Sequence, residues 1–525
     1  MTRIFNEETP AIHERIGWVQ TVSLNPPTLQ DNTADADRLR FALQKSLNAD
    51  WVDIDFSVLK KLPFALREWG FSVRCILAEE KGRWIVTGIL NPHGNVTAAG
   101  VAVDLGTSRV VLRLLNLLTG DILLEDAMDN PQLAVGPDIL SRIHACDRNE
   151  GLARLNHLIV EGVNRRIDRM TDFCGLTAKD IYLMAVSGNT CMTHLFLNLS
   201  PRWMIREPYI PVINRPGLQQ AASLGIAINP AARILVLPNI GSYFGGDLLA
   251  GILCAGMGQS EETHMLVDVG TNAEVVLGNQ NWLIACAGAA GPALEGGVTQ
   301  MGMMAGPGVI DQVTVDGESG VLQVHTIDEK APVGICGSGV IDLAAGLFLA
   351  GMVDVRGKFV PAACGDRLVQ SAGIANFEIV PADDSGTGKA IRISQADMDS
   401  LLRSKAAMYT ILETIMTTVN VSWKELTTFY VAGTFGAFIR PAAAVSIGML
   451  PDLPREKFIS LGNSSLQGAT RVLTDRNSLQ EIDHIREKIT YIELNVNQEF
   501  MNRFSAAKFL PHTNRTLFPS VSLRA

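Results

Sequence analysis

The sequence predicts an α/β protein built from two halves that begin alike, preceded by a small α+β domain. Strand-like segments alternate with helical segments through most of the chain, which is typical of the α/β class. The segment "VAVDLGTSRVVLRLL", starting at Val101, has a close counterpart in "LVDVGTNAEVVLGN", starting at Leu266. A repeat of this kind indicates a duplicated fold, and we expect a ligand-binding cleft between its two halves.

Length and composition narrow the classes of protein that fit. A chain of 525 residues is expected to form roughly two to four domains. Its formal charge of −10 argues against a nucleic-acid partner, because such binding depends on clustered Lys and Arg. The N-terminus lacks the apolar core of a secretory signal, and the most apolar runs are about half as long as a membrane span. We therefore expect a soluble cytoplasmic protein that binds neither nucleic acid nor membrane.

The order of elements along the chain predicts three domains. Residues 1–97 combine a helical segment, "DFSVLKKLPFALREWG", with two strands, "FSVRCILAEE" and "RWIVTGIL", which form a hairpin. The polar connection "NPHGNVTAAG" places a domain boundary near residue 98. Residues 98–262 form the first lobe and residues 263–525 the second, and we expect the C-terminal segment to pack back on the first lobe.

Each half opens with three strands and continues with alternating helices and strands. In the first half the opening strands are "GVAVDLGTS", "RVVLRLLNLL" and "DILLEDAM", followed by the long helix "GLARLNHLIVEGVNRRIDRMTDFCG" and the strands "IYLMAV" and "RILVLP". In the second half they are "HMLVDVGTN", "AEVVLGN" and "WLIACAG", and "TTFYVAGTFGAFI" is a later strand that leads into a glycine turn and a helix. This correspondence supports the duplication.

The first Asp-x-Gly-Thr turn carries groups suited to phosphate. Gly106 lets the chain turn tightly and lets a ligand approach the backbone. Thr107 and Ser108 add hydroxyl groups beside main-chain N–H donors. Asp104 is a candidate catalytic residue and metal ligand, because a carboxylate fits beside phosphates when a hydrated Mg²⁺ lies between them. An ordinary hairpin is the alternative for a single turn of this composition.

The second turn offers the same set of groups: Asp268, Gly270, Thr271 and Asn272. Asp268 is the second candidate catalytic residue and metal ligand. Two such turns at matching places favour a site that grips a polyphosphate and its Mg²⁺ from both sides over two unrelated hairpins.

Two further glycine turns are candidate parts of a nucleotide site. In "VAGTFGAF", Gly433, Thr434 and Gly436 would let the backbone lie flat against adenosine, and helix–strand packing is the alternative. In "ICGSGVID", Gly337 and Ser338 begin an apolar helix whose N–H groups can bind an anion, and a packing turn is the alternative.

Two polar residues at predicted helix starts have two interpretations each. In "SGNT", Asn189 would position a water or a phosphate, or it would cap the following helix. In "GGDLLAG", Asp247 would orient the attacking water during phosphoryl transfer, or it too would be a helix cap.

The cysteines give no sign of a cluster. They are Cys75, Cys146, Cys174, Cys191, Cys254, Cys286, Cys336 and Cys364. Because no Cys-x-x-Cys spacing occurs among them, no iron–sulfur cluster is predicted on this chain.

Taken in order, these segments resemble the acetate and sugar kinase/Hsp70/actin superfamily of ATPases. The turns "VDLGT" and "VDVGT" resemble its two phosphate motifs, "SGNTCMTHL" its first connecting segment and "YVAGTFGAF" its adenosine motif. Longer segments narrow the resemblance to the reductive activators of corrinoid proteins. They are "NPQLAVGPDILSRI", "SGNTCMTHLFLNLSP", "GAAGPALEGG", "GICGSGVIDLAAGLF", "FYVAGTFGAFI" and "LGNSSLQGA". The resemblance covers roughly residues 98–510, and more weakly the N-terminal domain, which is similar to the activators' middle domain.

The resemblance implies a duplicated ribonuclease-H-like (actin/Hsp70-like) two-lobed ATPase that binds ATP and Mg²⁺ and forms a homodimer. In this family ATP hydrolysis is coupled to reduction of an inactive Co(II) corrinoid protein to Co(I), in methyl-transfer systems such as O-demethylases. The electron normally passes through an iron–sulfur domain on the same chain. Because cluster cysteines are missing from this sequence, we expect either a separate ferredoxin-like electron donor or a member that has dropped reduction and kept an ATP-driven role in binding its partner.

Two other functions stay open at this point. A small-molecule kinase of the same superfamily would need a base beside the γ-phosphate, for which Asp247 is placed, and would release a phosphorylated product. A non-redox binding or chaperone module would bind its partner independently of nucleotide, although two intact phosphate turns disfavour it.

Overall fold

The computed structural model describes residues 17–94, 96–148, 150–270, 273–288, 301–317, 319–371, 373–433, 439–492 and 498–522. The chain forms two compact units: a first unit of Met1–Leu253 with Ser465–Arg486, and a second of Cys254–Ser464 with Glu487–Ala525. This division is coarser than the three predicted domains, whose bounds stay a prediction.

The first unit begins with a small α+β domain. Its elements are β1 (Val19–Ser23), α1 (Asp35–Leu47), β2 (Trp51–Ile54), α2 (Phe56–Leu59), α3 (Leu62–Glu68), β3 (Ser72–Glu80) and β4 (Arg83–Leu90). The strands form one sheet in the order β1-β3-β4-β2, and β3 and β4 are the predicted antiparallel hairpin. The helix predicted over residues 55–70 is two short ones, because Asp55 caps α2 and Pro63 begins a new first turn in α3.

A larger sheet with flanking helices follows in the first unit. Its elements are β5 (Ala99–Leu105), β6 (Arg109–Asn116), β7 (Ile122–Asp129), α4 (Ile139–Ala145), α5 (Gly151–Phe173), β8 (Ile181–Gly188), α6 (Thr190–Phe196), β9 (Gly217–Gln220), β10 (Arg233–Val236) and α7 (Gly246–Ala255). The strand order among these described residues is β7-β6-β5-β8-β10-β9. Helix α5 packs its apolar stripe, which includes Leu155, Ile159 and Val163, into the core beside the sheet.

The remaining elements belong mainly to the second unit. They are β11 (His264–Val269), β12 (Ala273–Asn279), β13 (Trp282–Gly288), β14 (Val309–Val315), β15 (Leu322–Thr326), β16 (Gly334–Ile335), α8 (Gly337–Leu349), α9 (Pro361–Cys364), β17 (Leu368–Ser371), β18 (Ile374–Val380), β19 (Ile391–Ser394), α10 (Gln395–Thr418), β20 (Thr428–Ala432), α11 (Pro441–Ser446), β21 (Phe458–Gly462), α12 (Ser464–Thr474), α13 (Asn477–Lys488), β22 (Ile489–Tyr491) and α14 (Gln498–Ala507). Nearly all residues of α12 and α13 belong to the first unit. The main sheet of the second unit has the order β21-β20-β11-β12-β13-β22 across the described residues.

The two main sheets share one topology over five strands, β7-β6-β5-β8-β10 and β13-β12-β11-β20-β21, whereas β9 and β22 have no counterparts among the described strands. In the first, β5 is antiparallel to β6 and parallel to β8, and β8 is parallel to β10. In the second, β11 is antiparallel to β12 and parallel to β20, and β20 is parallel to β21. The duplication predicted from the sequence is therefore present in the backbone.

The register makes the two candidate aspartates equivalent. Asp104 lies near the end of β5, opposite Ser187 of the parallel strand β8. Asp268 lies near the end of β11, opposite Ala432 of the parallel strand β20. Carboxyl ends of parallel strands are the usual place for ligand-binding loops in such sheets.

In the part of the chain that the structure describes, no helix combines the length and the apolar character needed to cross a membrane.

Candidate nucleotide site

In the first unit, a serine hydroxyl donates to the carboxylate of Asp104, and a second serine hydroxyl lies beside the first. Oδ1 of Asp104 accepts a hydrogen bond of 2.7 Å from Oγ of Ser465. The same Oγ lies 3.0 Å from Oγ of Ser187, and both serines are buried. Ser465 belongs to α12, which begins far along the chain but counts with the first unit. Ser465 lies in the segment "LGNSSLQGA", and the sequence alone assigned it no role.

The turn after β5 has no room for a larger residue at Gly106. A Cβ atom there would collide with the carbonyl oxygen of Arg109. Asn130, which is buried, donates from Nδ2 to the carbonyl of Gly106 at 2.9 Å. Its backbone N–H donates to the carbonyl of Ser108 at 2.8 Å. One asparagine thus closes the turn from both ends.

A buried arginine donates a hydrogen bond to the same turn. Arg142 is fully buried and donates from Nη2 to the carbonyl of Thr107 at 2.7 Å. It also donates from Nε to the carbonyl of Gly136 at 2.9 Å and from Nη1 to Oε1 of Gln132 at 3.3 Å. Burial lowers the pKa of the Arg142 guanidinium. The segment "NPQLAVGPDILSRI" therefore supports the turn, a role that the sequence did not reveal.

Asn189 caps α6, which is one of the two interpretations that the sequence left open, and its role in positioning a water or a phosphate stays a prediction. Its Oδ1 accepts the N–H of Met192 at 2.9 Å, so it is the N-cap of α6. Its Nδ2 donates to Oγ1 of Thr107 at 3.1 Å. The cap residue thereby contacts the phosphate turn directly.

Asp247 lies in the first turn of α7 and contacts its own helix. Its Oδ1 accepts the N–H of Leu248 at 2.9 Å. The preceding Gly245 packs closely on the backbone of Asn189, where a Cβ atom would collide, and such an atom would lie 2.6 Å from Oδ1 of Asp247. The structure therefore brings Asp247 next to Asn189, the cap that contacts the first phosphate turn.

In the second unit, Asp268 and Gly433 lie together. Gly433 follows β20 and has a φ of 84°, in the left-handed region that favours glycine. A Cβ atom on Gly433 would lie 2.7 Å from Oδ1 of Asp268 and 2.9 Å from the carbonyl oxygen of Val269. Gly270 follows β11 directly. Gly433 of the candidate adenosine turn thus lies close to Asp268 and Val269, at the start of the candidate second phosphate turn.

The turn at Gly337 and Ser338 is buried at the start of α8. Oγ of Ser338 donates to the carbonyl of Asp311 at 2.9 Å and lies 3.2 Å from Sγ of Cys336. These contacts favour the packing alternative for this turn, and its role in binding an anion stays a prediction.

Four of the predicted binding residues, Thr271, Asn272, Thr434 and Gly436, lie outside the described residues. Within the described ranges, no group of three or more His, Cys, Asp or Glu side chains is placed to hold a metal ion. Mg²⁺ commonly uses one or two carboxylates together with phosphate oxygens and water, and Asp104 and Asp268 offer that kind of donor.

Three of the cysteine thiols are buried and unreactive. Burial raises the pKa of Cys75, Cys191 and Cys286 to about 12. All eight cysteines are free. A thiol with so high a pKa is a poor nucleophile and a poor metal ligand at neutral pH.

Comparison with known protein families matches three consecutive parts of the chain. Residues 262–522 match the family described as "C-terminal domain of RACo the ASKHA domain", residues 99–260 the "RACo middle region" and residues 18–92 the "RACo linker region". These descriptions assign the linker region, rather than the middle domain, to the small N-terminal domain.

Comparison with individual proteins indicates the same family. The chain is 30% identical over 483 residues to "Corrinoid activation enzyme RamQ" of Eubacterium limosum, covering 90% of this chain and 79% of that protein. It is 27% identical over 423 residues to "[Co(II) methylated amine-specific corrinoid protein] reductase" of Methanosarcina barkeri, covering 74% and 73%. The solved structure "Reductive activator for corrinoid,iron-sulfur protein" superposes with a TM-score of 0.87 at 36% identity, covering 97% of this chain and 81% of that one. The predicted fold class is confirmed, and the chain belongs to the family of reductive activators of corrinoid proteins.

Proposed function

We propose that this protein is an ATP-hydrolysing activator that supports reduction of an inactive Co(II) corrinoid protein to Co(I) in a methyl-transfer system. The observation that carries the proposal is the pair of equivalent aspartates. Asp104 and Asp268 end corresponding strands of two sheets with one topology, and each is followed by a glycine turn. Membership in the activator family supplies the class of partner, and an O-demethylase is one system of this kind.

Both Asp-x-Gly-Thr turns carry groups for binding Mg²⁺–ATP. In the first, the hydroxyl of Thr107 and the N–H groups of Gly106 and Ser108 bind phosphate oxygens. In the second, Gly270, Thr271 and Asn272 have the corresponding role. Bound Mg²⁺ would neutralise charge on the phosphates, with Asp104 and Asp268 as its carboxylate ligands. Gly433 begins the turn that receives adenosine.

Asp247 orients the water that attacks the γ-phosphate. Its carboxylate lies in the first turn of α7, beside the asparagine that contacts the first phosphate turn. Hydrolysis requires an oriented water more than a strong base, because the transition state is loose. ATP drives an unfavourable reduction only if nucleotide state changes the affinity for the corrinoid partner.

The electron comes from a ferredoxin-like donor outside this sequence. Three of the eight cysteines are fully buried thiols with raised pKa values, and none of the eight occurs in a cluster spacing. Reduction therefore needs a redox centre that these cysteines do not supply.

The test is an anaerobic activation assay. Purified protein, ATP, a low-potential reductant and one of a panel of Co(II) corrinoid proteins are mixed, and the Co(II) and Co(I) absorbance bands are followed. We expect Co(I) to form only with ATP, and the rate of phosphate release to rise when the corrinoid protein is added. Asp268→Ala should abolish the ATP dependence, whereas Asp121→Ala, at an exposed residue of the same charge, should not.

Other outcomes would redirect the proposal. A phosphorylated small molecule in place of free phosphate would favour a kinase that uses Asp247 as its base. Corrinoid-protein binding that does not depend on nucleotide would favour a non-redox binding module. A phosphate-release rate unchanged over the whole panel would refute the coupling.

A further inference from the structure

Two neighbouring serines begin α12, and their hydroxyl groups have different surroundings. Oγ of Ser465 donates to Oδ1 of Asp104 at 2.7 Å. Oγ of Ser464 is buried and has no hydrogen-bond partner within the described residues. A buried hydroxyl that lacks a partner costs free energy, whereas one that donates to a carboxylate stabilises it. The contrast points to a specific role for the hydroxyl of Ser465.

The hydroxyl of Ser465 is fixed where it meets the carboxylate. It lies 3.0 Å from Oγ of Ser187, which belongs to β8 and is opposite Asp104 in the sheet. Both serines are buried, so water competes little for their hydroxyl groups. Ser465 therefore holds one carboxylate oxygen of Asp104 in a set orientation.

Helix α12 packs closely on α7, which limits how far Ser465 can shift alone. A Cβ atom on Gly468 would lie 2.4 Å from Cβ of Ala250. Nη1 of Arg471 donates to the carbonyl of Leu253 at 2.7 Å. The position of the serine hydroxyl is therefore set by the way in which α12 packs on α7.

The same two helices carry the chain between the two units. The chain leaves the first unit within α7, after Leu253, and returns to it at the start of α12, after Ser464. We call residues 253–254 and 464–465 the joining segments. Sγ of Cys254 donates to the carbonyl of Ser464 at 3.4 Å. The joining segments are thus bonded to each other, and the second contains the hydroxyl described above.

We propose that Ser465 is a positioning residue for Asp104, through which the binding of Mg²⁺–ATP at that carboxylate reaches the joining segments. This inference rests on the proposed function and adds a route for its dependence on nucleotide. Carboxylates that bind a metal ion are commonly oriented by an outer hydrogen-bond donor. The strength of such a bond depends on the charge of the carboxylate, so a change at Asp104 alters its bond to Ser465. The packing of α12 on α7 carries that change to the joining segments.

Isothermal titration calorimetry with a non-hydrolysable ATP analogue tests the positioning role. Ser465→Ala should lower the affinity for the Mg²⁺-bound analogue about 10-fold or more, and should leave the affinity measured in EDTA within about twofold of the wild type. Ser464→Ala is the matched control, because it removes a neighbouring buried hydroxyl that has no partner within the described residues, and it should bind as the wild type does. The unfolding temperature of each variant verifies that it folds.

A double-mutant cycle separates positioning from a general structural role. In an Asp104→Asn background, Ser465→Ala should change the affinity for the Mg²⁺-bound analogue less than about twofold, because the charge that the hydroxyl positions is already gone. If Ser465→Ala lowers the affinity as strongly in that background as in the wild type, Ser465 does not act through Asp104 and the inference is refuted.

Hydrogen exchange tests the connection to the joining segments. In the wild type, the Mg²⁺-bound analogue should change the exchange rates of amides in residues 253–255 and 463–466. At saturating analogue, Ser465→Ala should reduce that change at least about twofold, whereas Ser464→Ala should preserve it. An equal change in the wild type and in Ser465→Ala would refute the connection.

The outcomes also separate this inference from the proposed function. A loss of Mg²⁺-dependent affinity confined to Ser465→Ala, while the wild type forms no Co(I) with any corrinoid protein, upholds the positioning role and refutes reductive activation. Formation of Co(I) by the wild type, together with unchanged affinity in Ser465→Ala, refutes the positioning role alone. A wild type that binds no nucleotide refutes both.

Discussion

Replacing Arg142 with lysine tests how the first phosphate turn is built. The substitution keeps one positive charge and removes the planar fork of N–H donors. The guanidinium donates to the carbonyls of Thr107 and Gly136 and to Oε1 of Gln132, and Nη1 lies 3.1 Å from Sδ of Met192. A single ammonium nitrogen cannot reach acceptors that lie on opposite sides of a planar group.

The magnitude follows from the number of bonds lost. Hydrogen bonds to charged groups each contribute about 1.5–3 kcal/mol, and Arg142→Lys should lose at least two of them while retaining part of their strength. We expect the first unit to lose about 3 kcal/mol of its free energy of unfolding. For a unit of this size, that corresponds to a fall of roughly 6–12 °C in unfolding temperature.

Differential scanning calorimetry measures the loss of stability, and hydrogen exchange measures the loosening of the turn. The transition of the first unit should move to lower temperature, and the amides of residues 106–108 and 130–136 should exchange faster. Arg165→Lys is the matched control, because Arg165 is exposed on α5 and pairs only with Glu161 among the ion partners described for it. A fall below 2 °C, or unchanged exchange at residues 106–108, would refute the idea that Arg142 supports the turn.

Three further substitutions address the remaining contacts. Gly433→Ala places a Cβ atom 2.7 Å from Oδ1 of Asp268, at a residue whose φ is 84°. The affinity for Mg²⁺–ATP, measured by fluorescence titration, should therefore fall at least about tenfold. An unchanged affinity would contradict the proposed site. Ser465→Ala removes the hydroxyl that donates to Asp104, which should cost about 2 kcal/mol in urea unfolding and slow ATP hydrolysis, and a loss in stability alone would leave Ser465 a structural residue. Burial lowers the pKa of His194 in the folded protein. As pH falls below 6.5, the unfolded chain therefore binds a proton more readily than the folded one, and the free energy of unfolding should decrease. His194→Asn should flatten that decrease and His157→Asn, at an exposed position, should not.

The sequence predicted the elements whose signals are local. The three opening strands of each half and the β3–β4 hairpin are present as predicted, because alternating or continuous apolar runs bounded by turn residues determine strands over short distances. The helix predicted over residues 55–70 is divided because Asp55 and Pro63 start two first turns within it. Both start signals were visible in the sequence, and the apolar pattern that spans them concealed the break.

The supporting residues of the site could not be predicted in the same way. Ser465 contacts Asp104 across 361 residues of sequence, and nothing near either residue indicates the pairing. Two of the four acceptors around Arg142 are backbone carbonyls, which leave no trace in the sequence. Asn189 was predictable as a cap because a cap acts within its own helix, whereas its second bond, to Thr107, depends on the packing of β8 beside β5.

The duplication copied the backbone and not the surroundings of the carboxylates. Opposite Asp104 lies Ser187, and a second serine hydroxyl donates to the carboxylate. Opposite Asp268 lies Ala432, and the following Gly433 packs close to the carboxylate. Asparagine keeps the size of aspartate and an oxygen that can accept the Ser465 hydroxyl, so Asp104→Asn removes charge with little change of shape. If both turns bind Mg²⁺–ATP, Asp104→Asn and Asp268→Asn should each lower its affinity while nucleotide binding without Mg²⁺ changes little. If only one variant loses affinity for Mg²⁺–ATP, the aspartate replaced in the other variant is an ordinary hairpin residue. The two turns would then share a backbone topology but not a function.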